Sequence, residues 1–298
     1  MSEHSQHQRH REPYHDPDYD HPPHEYGPPD NPRYPDRRIY GEYASKRPPR
    51  YTPHPFDHSC FRPRKDDYKP PVPCDDVDDD LCHRKDHRRL TTDEQNRFIT
   101  AYTQVNAMGA LGPLVDIHAN SIHQMHGNPR FLPWHRIYLL RLEELLHMVD
   151  PSVCIPYWNS SDEQAFPPWL LGFTPTVDLI TGPHTVTRTI GVLATLPSAA
   201  AMAAATSNTT FASFGPALEG IHNSGHVWVG GSMQIIATAP VDPVFWMHHA
   251  EIDRRWHLWQ QTHPGENPAL SGPAATMDPW TETEVDTRDL TALGVAYD

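Results

Sequence analysis

The chain has 298 residues and a formal net charge of −14 at pH 7, which is long enough for one large or two ordinary domains. Residues 90–298 carry 8 Lys/Arg against 20 Asp/Glu, so this part is poorly suited to binding nucleic acid or an anionic membrane. No apolar run is long enough to span a membrane, and the N-terminus MSEHSQHQRH is not a secretory signal. These features predict a cytoplasmic protein, and export by a route without such a signal stays open as the alternative.

The N-terminal part differs from the rest in composition. Residues 1–89 hold 16 of the 33 prolines, 10 of the 22 histidines and 16 of the 24 Lys/Arg, with almost no aliphatic runs. Such a segment cannot bury enough apolar surface to offset its ordering entropy. We therefore predict a disordered extension over 1–83 and a single folded domain over 84–298.

Five helices are predicted after residue 90, in segments 91–109, 113–127, 133–148, 216–229 and 243–261. The first begins with Thr91 or Thr92 as N-cap and an acidic or amide side chain three residues later. Proline opens the second, third and fifth helices, since it suits the first helical position. A long irregular region rich in Pro, Gly, Thr and Ala, about 159–212, separates the third helix from the fourth.

The positions of the four cysteines do not indicate whether they form disulfides or a metal site. Cys60, Cys74 and Cys82 lie in the N-terminal part and Cys154 lies in the domain. Their spacing matches no zinc-site pattern. Two alternatives therefore remain for the cysteines: disulfides within the N-terminal part, or buried or free thiols.

Histidines lie on the apolar faces of the second and third helices. His118 shares its face with Leu111 and Leu114, and His135 shares its face with Leu139. One such histidine alone is more often a core residue than a ligand. His126, at the end of the second helix, follows His118 by eight residues and precedes His135 by nine.

The fourth and fifth helices repeat this pattern. His222 and His226 are four residues apart, so they lie on one helical face and can bind one metal ion. In the fifth helix His249 falls on the apolar stripe with Phe245, whereas His248 falls on a more polar face. Two groups of three histidines result, and all-imidazole ligation suits copper, zinc, iron or nickel rather than magnesium or calcium. A carboxylate-bridged di-iron bundle is disfavoured, because no carboxylates stand at ligand spacing.

Three stretches resemble a known family. HGNPRFLPWHRIYLLRLE (126–143) and DPVFWMHHAEID (242–253) are similar to the two copper-site signatures of the tyrosinase superfamily, the type-3 dicopper proteins. IHNSGHVWVGG (221–231) resembles the segment that supplies the first two ligands of the second copper. The resemblance spans about 84–298 and implies a mainly α fold, a four-helix bundle around two copper ions with long irregular connections.

The resemblance also implies the ligands. His126 and His135 match ligands of the first copper, and the remaining first-copper ligand is His118 or, as the alternative, His123. His118 would lie about 12 Å from His126 in a continuous helix, so the chain must turn back before His126. The ligands implied for the second copper are His222, His226 and His249.

The implied activity is that of a tyrosinase. Such an enzyme uses dioxygen to hydroxylate small monophenols and to oxidise the resulting catechols to o-quinones. Glu219 and Asn223 resemble the family's pair that holds a water able to accept the phenolic proton. The alternative for Glu219 is a carboxylate near a helix N-terminus that interacts favourably with the helix dipole.

Three other functions stay open. The first is a catechol oxidase without monophenol hydroxylation, and the second is a hemocyanin-like oxygen carrier. The carrier is disfavoured, because no shielding module follows the helical part of this sequence. In the third, the His-rich extension is itself a metal-scavenging or interaction segment.

Overall fold

The computed structural model describes residues 81–120 and 123–298. The prediction of a disordered extension therefore lies outside the described residues, apart from 81–83. Within the described part, the helices are α1 (Thr92–Ala107), α2 (Leu111–Ala119), α3 (Phe131–Val149), α4 (Ser160–Glu163), α5 (Ala199–Thr206), α6 (Phe211–Val229) and α7 (Pro243–Thr262). The strands there are β1 (Cys82–Arg84), β2 (Thr176–Leu179), β3 (Gly182–Thr185) and β4 (Val295–Tyr297).

The predicted mainly α fold is confirmed. Helix α3 packs against α2, α6 and α7, and α6 packs against α7, which forms the bundle that carries most of the predicted site. Helix α1 also packs against α3. Two start signals act as the sequence indicated. Thr91 and Glu94 form a reciprocal capping box at α1, and Asp242 caps α7 by accepting the Val244 N–H at 3.0 Å.

The second helix is shorter than predicted. It ends at Ala119 rather than near Gly127, and the chain then turns, with Gln124 and Gly127 at positive φ. The Asn128 side-chain amide donates to the carbonyls of Gln124 (2.6 Å) and His126 (2.8 Å), and these bonds replace helical ones. The expected turn before His126 is therefore present.

The fourth helix begins five residues earlier than predicted. Helix α6 starts at Phe211 and contains Pro216 in its interior. Tertiary contacts hold the added turn: the Phe211 N–H donates to Glu266 Oε2 at 3.0 Å, and the Phe214 ring stacks on Trp259 at 4.2 Å. These contacts offset the backbone hydrogen bond that Pro216 cannot make.

The third helix likewise begins at Phe131, with Pro133 as its third residue. Proline is tolerated there because the first N–H groups of a helix have no partner within it.

The long region predicted as irregular is partly structured. β2 and β3 form an antiparallel hairpin with Thr176 paired to Thr185. The short helices α4 and α5 flank this hairpin along the chain.

The two ends of the described part meet. β1 pairs with β4 in parallel, with Cys82 opposite Val295 and Arg84 opposite Tyr297. Cys82 is also joined to Cys154 by a disulfide, a pairing between the N-terminal part and the domain that the cysteine spacing did not indicate.

Arg84 is fully buried beside this small sheet. It donates to both oxygens of Glu143, at 2.8 and 2.7 Å, and to Asp253 at 3.1 Å. Asp253 also accepts from Arg136 at 2.5 Å and from the Tyr297 hydroxyl at 2.8 Å. This group of Arg84, Glu143, Asp253, Arg136 and Tyr297, here called the buried ionic cluster, joins β1 and β4 to α3 and α7.

None of the described helices is both long enough and apolar enough to cross a membrane.

Candidate metal centre

Six predicted histidines converge in the bundle. They form two groups of three, within each of which the ligand nitrogens lie within 4.8 Å of one another. The first group is His118, His126 and His135, and the second group is His222, His226 and His249. The two groups are neighbours, because the rings of His135 and His249 stack with their centroids 4.4 Å apart.

Backbone carbonyls orient the first group. His118 Nδ1 lies 2.8 Å from the Ile236 carbonyl oxygen and His135 Nδ1 lies 2.8 Å from that of Phe131. A carbonyl oxygen only accepts, so Nδ1 carries the proton and Nε2 bears the lone pair. The two Nε2 atoms face each other at 3.3 Å, and the His126 ring lies 5.0 Å from both other rings.

In the second group, one backbone carbonyl and one side-chain oxygen orient two of the rings. His226 Nδ1 donates to the Met233 carbonyl at 2.8 Å, and His222 Nδ1 donates to Asn223 Oδ1 at 3.1 Å. Nε2 of His222 lies 2.7 Å from that of His226 and 3.0 Å from that of His249.

Burial keeps these rings neutral. Desolvation lowers the pKa of His118 to about 3 and that of His126 to about 4. It also lowers the pKa of His135, His222, His226 and His249 well below the ordinary value.

The Nε2 lone pairs of His118 and His135 therefore face each other, as do those of His222 and His226, a repulsive arrangement that a bound cation relieves. The neutral imidazole donors fit copper and are a poor match for magnesium or calcium.

His123, the alternative ligand, is directed elsewhere. Its Nδ1 lies 2.5 Å from Asp278 Oδ2 and its ring stacks on Trp134. The structure thus brings His118, not His123, to His126 and His135.

The interpretation of His248 as lying on a polar face was wrong about its burial. Its side chain is buried, its Nε2 donates to the His222 carbonyl at 3.0 Å, and Glu251 on the same face is buried too. Gly225 makes this packing possible, since a Cβ there would lie 2.4 Å from His248 Cε1. His248 is outside both histidine groups.

The two predicted catalytic residues have different partners. Glu219 Oε1 accepts the Gly127 N–H at 2.7 Å, and burial raises the pKa of this carboxyl. Asn223 is exposed, and its Oδ1 accepts from His222. Glu219 thus touches the loop that carries His126, and Asn223 touches a ring of the second group.

Two phenylalanines near the site were not assigned a role from the sequence. The Phe131 ring lies 4.8 Å from that of His222 and 4.9 Å from that of His135. The Phe245 ring lies 4.1 Å from that of His249 and 5.0 Å from that of His118. Each phenylalanine precedes a histidine by four residues, a spacing that places both on one helical face.

The segment after α6 supplies further contacts that the sequence did not reveal. Residues 231–236 provide the carbonyls that orient His226 and His118. Gly230 and Gly231 adopt positive φ, and a Cβ at Gly231 would lie 2.2 Å from the Thr187 carbonyl oxygen. The Gly-Gly pair therefore lets this segment approach the chain at Thr187.

The common central domain of tyrosinase matches residues 111–191 and 175–262 of this chain. A tyrosinase of Streptomyces glaucescens is 34% identical in an alignment 255 residues long, which covers 67% of this chain and 93% of that protein.

Two solved structures share the fold at low identity. A functional unit of octopus hemocyanin superimposes with a TM-score of 0.62 at 21% identity, covering 72% of this chain and 68% of the unit. A tyrosinase from Burkholderia thailandensis superimposes with a TM-score of 0.59 at 18% identity, covering 73% of each chain. The family match, the bacterial relative and the converging histidines lead to one conclusion: this chain belongs to the tyrosinase family of copper enzymes.

Proposed function

We propose that the chain is a dicopper oxidase that uses dioxygen to hydroxylate monophenols to catechols and to oxidise catechols to o-quinones. The observation that carries the proposal is the pair of adjacent histidine groups, each of which can hold one copper ion through three ring nitrogens. When bound, the two copper ions together supply the two-electron exchange with dioxygen that this chemistry requires.

The protein positions the donors. The carbonyls of Ile236, Phe131 and Met233 hold the Nδ1–H groups and so aim Nε2 of His118, His135 and His226. Such partners fix the tautomer and the ring orientation of a ligating histidine. The Phe131 and Phe245 rings lie against the two groups and exclude water from them.

Glu219 and Asn223 act on the proton of the phenol. An unperturbed phenol has a pKa of about 10, so a monophenol needs a local base near the metal. The raised pKa of Glu219 makes this carboxylate a stronger base than an exposed one. We assign to Glu219 and Asn223 together the water that accepts the phenolic proton.

An oxygen carrier is the second candidate, since the octopus hemocyanin unit has the same fold. The fold alone does not separate the two functions. The sequence relatives favour the enzyme, because proteins named tyrosinase are 30–34% identical to this chain.

The test is oxygen uptake by copper-loaded, full-length protein with a monophenol and its catechol in parallel, together with copper analysis. We expect two copper ions per chain and uptake with both substrates, faster with the catechol. His135→Asn and His249→Asn each remove a ligand from one group, and we expect each to lower copper content and abolish uptake. The matched control is His257→Asn, eight residues beyond His249 on α7, which should leave both unchanged.

Reversible oxygen binding without turnover of either substrate would identify a carrier instead. Turnover of the catechol alone would identify a catechol oxidase. One copper ion per chain in the active protein would contradict the dicopper centre.

A further inference from the structure

A third group of potential ligands lies outside the histidine centre. Cys82 on β1, His147 near the end of α3 and Cys154 in the following extended segment have their ligand atoms within 4.8 Å of one another. The two cysteines form a disulfide with Cα atoms 5.6 Å apart. Cys82 Sγ lies 3.7 Å from His147 Nε2.

This sulfur–nitrogen distance suits a tetrahedral zinc site. With Zn–S of about 2.3 Å and Zn–N of about 2.05 Å, the tetrahedral angle places S and N about 3.6 Å apart. Once the disulfide is reduced, rotation of the two cysteine side chains can open the sulfurs to the roughly 3.8 Å that two thiolates on one zinc ion require.

The surroundings leave the fourth position to solvent. Glu143 Oε1 lies 3.5 Å from Cys82 Sγ, but Arg84 binds both oxygens of this carboxylate and the Ile155 N–H binds one of them at 3.1 Å. Both oxygens of Glu143 therefore already have hydrogen-bond donors, and this carboxylate is not counted as a metal ligand. His147 and Cys154 are partly exposed, so a water molecule can reach the metal from that side.

We propose that Cys82, His147 and Cys154 form a second metal site that binds one zinc ion when the cysteines are reduced, and that disulfide formation closes it. A dithiol supplies two electrons and two protons: the Cys82–Cys154 bond breaks, two thiols form, and the dithiol becomes a disulfide. Zn²⁺ then displaces the two thiol protons to solvent. Thiolate and imidazole are ligands that zinc prefers.

Both states join the same elements. The disulfide and the zinc ion each hold β1 against the segment that follows α3, and the metal adds His147 of α3 itself. A reducing compartment would keep the thiols reduced and favour the metal, whereas an oxidising compartment would favour the disulfide.

Cobalt is the probe, because thiolate ligands give Co²⁺ a near-ultraviolet charge-transfer band that sites of histidine alone lack. The protein is full-length and copper-loaded, with Cys60→Ser and Cys74→Ser to remove the other thiols. It is measured once oxidised and once after reduction by a dithiol that is then removed without air. We expect the band, at one Co²⁺ per chain, only in the reduced protein, and displacement of the cobalt by Zn²⁺.

Variants distinguish the loss of a metal ligand from a general loss of folding. Cys154→Ser should abolish the band, and His147→Ala should weaken metal binding by at least about tenfold, since even outer partners of a metal site contribute that much. The matched control is His83→Ala, because His83 adjoins Cys82 but pairs with Asp298. Catechol oxidation by each variant verifies an intact copper domain. No band in the reduced protein, or an undiminished band in Cys154→Ser, would overturn the proposal.

Discussion

At each oriented histidine of the centre, the partner of one ring nitrogen decides what the other nitrogen can do. A carbonyl at Nδ1 forces the lone pair onto Nε2, as at His118, His135 and His226. His222 differs, because its Nδ1 partner is the side chain of Asn223 rather than the backbone. A side-chain partner can be removed by mutation without altering the fold, which makes Asn223 the most informative residue to change.

Asn223→Leu is expected to lower monophenol turnover at least about tenfold while catechol turnover changes much less, because hydroxylation of the monophenol depends more strongly on the local base that removes the phenolic proton. Copper content should stay unchanged, since Nε2 of His222 remains directed at its group. Oxygen uptake with both substrates and metal analysis measure these effects.

Ser224→Ala is the control for the Asn223 variant. Ser224 is the next residue on α6, and its hydroxyl donates within the helix to the Gly220 carbonyl at 3.2 Å. Equal losses on both substrates in Asn223→Leu would make Asn223 a structural residue, and no loss on either would remove it from the mechanism.

At the scale of elements, the bundle depends on strand β1, which stands near the start of the described part of the chain. β1 brings Arg84 between α3 and α7, where it neutralises Glu143 and Asp253 in a buried setting. Removing one partner of such a group leaves an uncompensated buried charge, which costs about 3–5 kcal/mol. The position of the boundary of the folded part should therefore be visible as a loss of stability when successive N-terminal deletions reach β1.

Deletion of residues 1–80 is expected to preserve copper content and catechol oxidation, because it leaves β1 in place. Deletion of residues 1–89 removes β1 together with Arg84 and should lower the free energy of unfolding by about 3 kcal/mol or more. Urea unfolding and copper analysis of the two proteins measure the difference.

Point variants isolate the contribution of the ion pairs. Arg84→Ala should reproduce most of the loss, whereas Arg97→Ala, which breaks an exposed pair with Asp150, should change stability little. If deletion of 1–80 already abolished copper binding in a folded protein, the extension would belong to the site or to its loading route.

At the scale of the whole molecule, the fold holds a set of buried histidines that stay neutral at neutral pH. The pKa of each falls below its unfolded value because burial penalises the charged ring, as for His118, at about 3. Below about pH 6.5 the unfolded chain takes up protons that the metal-free folded state does not. The resulting loss of stability belongs to no single element, because α2, α3, α6 and α7 all contribute rings.

The free energy of unfolding of the metal-free protein is therefore expected to fall as the pH decreases from about 6.5 to about 4.5. Glu219 acts in the opposite direction, since burial raises its pKa, but it is one group against several histidines. Urea unfolding at a series of pH values gives the slope. His126→Asn should reduce that slope by about one proton, and a stability independent of pH in this range would contradict the assignment of neutral rings.

The sequence by itself determined the local features of the site. Helical periodicity directed His118, His135, His222, His226 and His249 inward, and the structure brings all of them together with His126. Capping signals placed the starts of α1 and α7 correctly. These features depend on residues a few positions apart, whose relative directions follow from helix geometry.

Only the tertiary structure decided the rest. The end of α2, the added turn of α6, the partners of His123 and His248, the Cys82–Cys154 pairing and the place of Arg84 all depend on residues distant in the chain. Arg84 and Asp253 are 169 positions apart, and His118 and its orienting carbonyl at Ile236 are 118 apart. No local pattern encodes such contacts, because they form only when packing of the whole bundle brings the segments together and leaves their buried polar groups in need of partners.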